Sequence, residues 1–271
     1  MVDAGRRTAL AVLVAAGLTP CPVAEAAGAP ARRPAGAPGA GPLPGAGVRS
    51  GPRPPAALLG GEIRRLPTSR RVVALTFNAA WDAAGLDVVL EELRRRKLPA
   101  TFFPTGAYAE AHPAAVRAMG AVHGLGNHSY SHPFFDDLDT HERAQEVRRA
   151  DAAIRAASGV EPLPFFRFPY SATSAESVAE VNALGYAAIE FTADTNGYLG
   201  PAGGMTVERA VGRAVDALVP GAVLQMHVGS TGDGVVLDAE ALPRIIDAAE
   251  ADGYEIIDLR TFLVPGAASE S

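Results

Sequence analysis

The chain has 271 residues, of which 48% are hydrophobic and 20% charged, enough for one sizeable core with a tail to spare. Its formal net charge of −6 is unevenly spread: residues 1–57 carry six Arg against two acids, which leaves 18 basic and 28 acidic side chains for the remainder. A folded part with a net charge of −10 excludes nucleic acid as the expected partner, because phosphate binding needs a basic surface.

Arg6 and Arg7 precede an apolar run from Ala9 to Leu18, and small residues follow, including Ala24-Glu25-Ala26. This is the layout of a secretory signal peptide over residues 1–26, and the run is too short to span a bilayer. The protein is therefore expected outside the cytoplasmic membrane, with no transmembrane segment, and as a monomer. Cys21 is the only cysteine, so a mature chain beginning near Ala27 has no disulfide. Residues 27–57, almost entirely Ala, Gly, Pro and Arg, cannot bury a core and read as a disordered tether. A folded domain is expected over residues 58–264, with 265–271 as a polar tail.

Within that domain the pattern alternates. Val72 to Phe77 is a β-rich apolar run, and Leu86, Val89, Leu90 and Leu93 then recur at helical spacing. Ala100–Phe103 predicts a strand, Pro113–Met119 a helix, and the residues around Ala144–Ile154 a further helix closed by Gly159. Phe165–Phe168 (strand), Ser174–Leu184 (helix), Tyr186–Thr192 (strand), Val207–Leu218 (helix), Ala222–His227 (strand), Ala239–Ala251 (helix) and Tyr254–Ile257 (strand) complete the series. Strands alternating with helices of this length imply βαβ units and a parallel sheet, an α/β fold. About seven such units favour a barrel, in which the C-terminal strand ends share one rim. Asn78, His128, Arg167, Asp194 and His227 all fall at such ends, so the pattern brings them together.

The polar stretch Gly126-Asn127-His128-Ser129-Tyr130-Ser131-His132-Pro133 carries two histidines four residues apart. On a helical turn that spacing aims two imidazoles at one point, where a divalent cation, Zn²⁺ by default, can be held. Read alone, the pair is more often a surface turn than a metal site, and His227 more often a satisfied core histidine than an acid.

The order of these segments resembles the polysaccharide deacetylases, the family-four carbohydrate esterases that remove N-acetyl or O-acetyl groups from glycans. The resemblance covers about residues 70–262. Thr76-Phe77-Asn78 resembles the first motif, normally Thr-Phe-Asp-Asp-Gly, and Ala100-Thr101-Phe102-Phe103 the strand after it. The stretch from His123 to Pro133 resembles the metal motif, Phe166-Arg167-Phe168-Pro169-Tyr170 the third, Asp194-Thr195-Asn196-Gly197-Tyr198 the fourth and Leu224-Gln225-Met226-His227 the fifth. The resemblance implies a distorted (β/α) barrel of seven or eight parallel strands in one domain, and one bound divalent ion (Zn²⁺, or Co²⁺ or Ni²⁺) on His128 and His132. It further implies His227 as general acid, the Tyr170 backbone as oxyanion donor, Arg167 steadying the base, and Asp194 in the catalytic set. Phe168, Pro169, Tyr170, Tyr198 and Leu224 are implied as substrate-lining residues. Arg167 as an ion-pair partner of Asp194, and the two tyrosines as plain rim aromatics, remain open readings.

Three positions depart from the family pattern. Asn78 stands where the family has its base Asp, and an amide has no lone pair basic enough for that role. Ala79 stands in place of the third metal ligand, and Gly197 in place of the Asp before the fourth motif's aromatic. Asp82 is the nearest carboxylate in the first loop and reads either as a replacement ligand or base, or as the N-cap of the helix ahead of Leu86. The function that follows is a secreted metal-dependent deacetylase of an acetylated cell-wall or extracellular glycan, peptidoglycan first; the alternative is a catalytically impaired glycan-binding domain.

Overall fold

The structure, a computed structural model, describes residues 51–230 and 234–263. The expected signal peptide, the tether up to residue 50 and the C-terminal tail lie outside the described residues. Residues 51–57 lead into a short 3₁₀ turn, Ala56–Leu58, whose Leu58 is fully buried.

The elements in chain order are β1 (Glu62–Ile63), β2 (Val72–Ala79), α1 (Leu86–Arg96), β3 (Thr101–Pro104), α2 (Gly106–Ala111), α3 (Pro113–Gly120), β4 (Gly124–Leu125), α4 (Thr140–Ser158), β5 (Phe165–Phe166), α5 (Ala175–Ala183), β6 (Ala187–Ile189), β7 (Ala193–Asp194), α6 (Val207–Asp216), β8 (Ala222–Val228), α7 (Leu237–Ala251) and β9 (Glu255–Ile257). The strand pairings between these elements are all parallel. One sheet runs β4-β3-β2-β8-β7 with β9 also on β2, and a second runs β1-β6-β5.

Two connections join these sheets into a distorted barrel. A parallel bridge pairs Asn127, just past β4, with Phe166 of β5. On the other side, the segment expected as one strand from Tyr186 to Thr192 divides. Glu190 N still bonds Ile63 O beside β1, whereas Thr192 N bonds Val223 O and delivers the chain to β7 on β8. The segment leaves β1 after Glu190 and reaches β8 at Thr192, so only Ala187–Ile189 of the expected strand forms β6, and β7 begins just past it.

The long strands β2 and β8 sort their side chains by the period of two. Val73, Leu75, Phe77 and Ala79 of β2, with Leu224, Met226 and Val228 of β8, pack in one core with Val89 and Leu93 of α1 and Leu242, Ile245 and Ile246 of α7. The opposite faces begin apolar, with Val72, Ala74 and Val223 in a second core beside Phe103, Phe165 and Ile189. They continue polar, with Thr76, Asn78, Gln225 and His227. The rim of the barrel is thus reached by residues 78, 225 and 227, in direct register: Thr76 pairs with Gln225 and Asn78 with His227.

The turn entering β8 is a tight one. Gly221 has φ 78°, and a Cβ there would stand 2.4 Å from the carbonyl oxygen of Leu66. Gly221→Ala is expected to lower the unfolding free energy by more than about 1 kcal/mol, since the strained φ and the backbone clash add. Chemical denaturation of the two proteins checks this.

Candidate functional site

Arg167, just past β5, is fully buried. Its guanidinium spends its donors on neutral oxygens: Nε on Ile189 O at 3.1 Å, Nη2 on Glu190 O at 3.2 Å and Nη1 on the Asn78 side-chain oxygen at 3.0 Å, while its plane covers the Phe103 ring at 4.2 Å. Burial pushes its pKa down to about 10, against the opposing pull of the Glu190 and Asp194 carboxylates. No hydrogen bond joins Arg167 to Asp194 among the described residues, so Arg167 serves Asn78 and two backbone carbonyls rather than a direct ion pair.

Asn78 passes this polarity on. Its amide nitrogen donates to Gln225 Oε1 at 3.2 Å, and Gln225 Nε2 donates to Asp194 Oδ2 at 2.8 Å. Donors and acceptors alternate without conflict from the buried cation, through two amides, to a carboxylate. Asp194 Oδ1 also accepts from Asn196 N at 2.8 Å, which fixes the turn after β7. The arrangement gives the amide at position 78 a definite orientation, with its oxygen committed to Arg167.

His128 and His132 converge, but not on a helix as the spacing predicts. The loop holds Ser129 at φ 64° and His132 at φ 60°, and Pro133 disfavours the right-handed helical conformation at His132. Asn127 Oδ1 accepts from Ser129 N at 3.0 Å, and Ser129 Oγ accepts from His132 N at 3.1 Å, so local side-chain bonds close the loop instead. The result brings the two Nε2 atoms to 3.2 Å. His128 Nδ1 lies 2.9 Å from the carbonyl oxygen of Arg167; with that nitrogen donating, Nε2 is the bare one. Burial, reinforced by His132, holds His128 well below its ordinary pKa; burial, then His227, brings His132 down to about 4. Both rings are neutral at pH 7, and their Nε2 atoms meet at a common point. The donor set fits two ligand positions of a divalent cation and lacks the third. Ala79 is packed in the core, and among the described residues no group of three His, Cys, Asp or Glu side chains is placed to share one ion.

Asp82 does not supply that position, and it is not the N-cap of α1, which is Gly85. Its Oδ1 accepts from Ala84 N at 2.8 Å and Ser230 N at 3.0 Å, and its Oδ2 from Ser230 Oγ at 2.8 Å. The carboxylate straps the loop after β2 to the loop after β8, where Gly229 approaches so closely that a Cβ would lie 2.6 Å from Asp82 O. The expectation that Asp82 serves as metal ligand or base is corrected: three hydrogen bonds hold it elsewhere. Leu224 is likewise displaced from the substrate-lining set, because the strand period turns it into the core while Gln225 lines the pocket.

The pocket itself, of about 240 Å³, is lined by Asn78, His128, His132, Asp194, Gln225 and His227 at its polar side, and by Trp81, Phe168, Tyr170, Phe191 and Tyr198 at its aromatic side. Pro169 is buried in the 3₁₀ turn that presents Tyr170 at φ 59°. Trp81 is 47% exposed and stacks on Tyr198; Tyr170 is 56% exposed and stacks on Phe134 at 4.0 Å. The Tyr198 ring in turn lies 4.4 Å from that of His227. Exposed, mutually braced aromatic faces are the surfaces on which apolar faces of a ligand stack. Two pocket residues lie outside the expected site set: Gln225, a lone amide two residues before His227 in an otherwise apolar strand, and Trp81, the one tryptophan of the chain.

A family model described as polysaccharide deacetylase matches residues 65–189. The chain is 31% identical over 196 residues to a chitooligosaccharide deacetylase of Bradyrhizobium sp., covering 69% of this chain and 88% of the relative. It is 25% identical over 194 residues to a peptidoglycan-N-acetylglucosamine deacetylase of Bacillus cereus, covering 71% of this chain and 68% of that one. Among solved structures, a CE4 family pseudoenzyme from Bacillus anthracis superposes with a TM-score of 0.67 at 25% identity, covering 76% of this chain and 69% of the other. A mutant of that protein is described as having restored enzymatic activity.

Replacing Asp82 by Asn should cost about 1–3 kcal/mol of stability through the weakened strap, with the content of bound divalent ion unchanged. Burial raises the Asp82 carboxyl, but the bonds from Ala84 and Ser230 outweigh it and leave its pKa below the ordinary value. The stability difference is therefore full above the unfolded carboxyl pKa of about 3.9 and shrinks as pH falls through the lower folded value. Denaturation of both proteins at neutral and acid pH, with elemental analysis, reads both effects.

Proposed function

The chain belongs to the polysaccharide deacetylase family, and on that premise we propose that its pocket binds an acetylated extracellular glycan and hydrolyses its acetyl groups with a bound divalent cation. The observation that carries this reading is the meeting of the His128 and His132 Nε2 atoms, 3.2 Å apart, with His227 in one aromatic-rimmed pocket. Relatives named as chitooligosaccharide and peptidoglycan deacetylases support an N-acetylated glycan outside the cell as substrate class, in keeping with the export expected from residues 1–26.

His128 and His132 would hold the cation, with Zn²⁺ the first choice for imidazole donors. Such an ion polarises the acetyl carbonyl and lowers the pKa of a bound water. The residues do the rest. Trp81, Tyr170 and Tyr198 stack on sugar faces and exclude water. The Tyr170 backbone N–H holds the developing oxyanion. Water oxygen would add to the acetyl carbon as Nε2 of His227 takes one of its protons, and the same nitrogen would pass that proton to the leaving nitrogen as the carbon–nitrogen bond breaks, releasing the free amine and acetic acid, which is acetate at neutral pH. Asn78 orients the water but does not take its proton, so the step runs without a side-chain base at that position and is slow for its family.

A second reading, recognition without turnover, is favoured by the same amide. Asn78 is fixed between Arg167 and Gln225, and the one carboxylate of the first loop is turned to Ser230.

Three measurements test the proposal. Purified protein should carry close to one divalent ion per chain, and His128→Ala should lose it; retention of the ion by the His128→Ala, His132→Ala double variant would disprove the site. Acetate release should be measurable on N-acetylated chitooligosaccharide or peptidoglycan and should rise in Asn78→Asp by up to about 10²-fold, since a placed general base contributes 10²–10⁴. Glycan binding by calorimetry with no acetate released by the wild type would establish the second reading instead.

A further inference from the structure

His227 ends β8 with an unmet need. Its Nδ1 is buried and has no hydrogen-bond partner. Two carboxylate oxygens stand near it, Asp194 Oδ1 at 3.9 Å and Asp238 Oδ2 at 3.8 Å. Their circumstances differ. Asp194 is committed at both oxygens, to Asn196 and Gln225. Asp238, in the first turn of α7, is fully buried, accepts the backbone N–H of His227 on Oδ2 at 2.8 Å, and leaves Oδ1 without a partner. A fully buried carboxylate with one backbone donor is costly unless another positive or hydrogen-bonding group answers it. The His227 imidazole is the side chain whose own unpartnered nitrogen faces this carboxylate, with Nδ1 3.8 Å from Oδ2.

The position of this carboxylate depends on Gly197. A Cβ at residue 197 would stand 2.2 Å from Asp238 Oδ1 and 2.5 Å from its carboxyl carbon. Gly197 is not among the glycines with positive φ, so its backbone does not demand glycine; the space does. Either a side chain at 197 or the Asp238 carboxylate can occupy the volume beside His227, and in this chain the carboxylate on α7 does.

We propose that Asp238 is the positioning residue of His227: lodged in the space left by Gly197, it receives the proton of Nδ1 in a hydrogen bond and thereby leaves Nε2 as the ring nitrogen that works in the pocket. The 3.8 Å separation closes by a small turn of the ring, in line with the long hydrogen bonds common in substrate-free sites. This assignment deepens the role given to His227 above but concerns the tautomer of the ring, which exists whether or not the protein turns over substrate.

The test is ¹⁵N NMR of the His227 ring in the intact protein at a pH where the ring is neutral. The wild type should show Nδ1 protonated and Nε2 bare. Asp238→Leu, which keeps the volume apolar, should lose that preference and populate the Nε2-protonated form. Gly197→Asp combined with Asp238→Ala returns a carboxylate to the same space from the other side and should restore the Nδ1-protonated ring, whereas Gly197→Leu with Asp238→Ala, which fills the space without an acceptor, should not. A wild-type ring protonated on Nε2 overturns the proposal without any variant being needed. So does an unchanged tautomer in folded Asp238→Leu, which would hand the role to Asp194. Failure of acetate release with the expected tautomers intact would count against the hydrolytic reading alone.

Discussion

The site depends first on Arg167, a full positive charge removed from water. Burial of a guanidinium is tolerated only when its donors are met, and here they are met by two backbone carbonyls of the β6–β7 segment and by the Asn78 side chain. Those bonds tie β5, the segment that changes sheets, and β2 at one point. They also impose a direction. With its oxygen on the guanidinium, Asn78 must present its amide hydrogens to Gln225, and Gln225 must then present its own to Asp194. A charged residue at 78 would pair with Arg167 more strongly, but Gln225 cannot offer amide hydrogens to two carboxylates in its present pose. Asn78 and Gln225 therefore make sense together, as a neutral bridge between a buried cation and a half-buried anion.

Much of this was legible in the sequence. Every expected strand run contains a strand, shortened at Phe165–Phe166 and Ala187–Ile189, each helical period became a helix, and the residues at strand ends met on one rim because parallel β/α units leave no other place for them. What could not be read were features that depend on partners far along the chain. Helix α2 is only six residues long and is held by Thr105 capping Tyr108 N, too little periodicity to register. The histidine loop carries the right spacing for a helical turn, yet Pro133 and the Asn127 and Ser129 side chains make it a loop with left-handed residues. Asp82 offered two local readings, cap or ligand, and the structure gives it a non-local one, because nothing within the first loop reveals Ser230. Leu224 was misplaced by a motif taken as a block; the alternation of β8, visible in the sequence, sends it to the core. Asp238 gave no signal at all, since its partner Gly197 lies 41 positions away and glycine reports only that something else fills its space.

The distribution of charge in the pocket follows from these placements. The Asp194 and Asp238 carboxylates stand near His227, from β7 on one side and α7 on the other, whereas among the described residues no carboxylate completes a set of three ligands with His128 and His132, which have the buried Arg167 behind them. Two neutral imidazoles hold a divalent cation less firmly than two with a carboxylate, both because a ligand is missing and because no negative charge offsets the ion. The pocket thus offers aromatic faces at Trp81, Tyr170 and Tyr198 on one side and, among the described residues, two imidazoles without a third ligand on the other. At the start of the site Asn78 and Ala79 offer neither a basic atom nor a ligand atom, while at its other end the Asp238 carboxylate fills the space that Gly197 leaves beside His227.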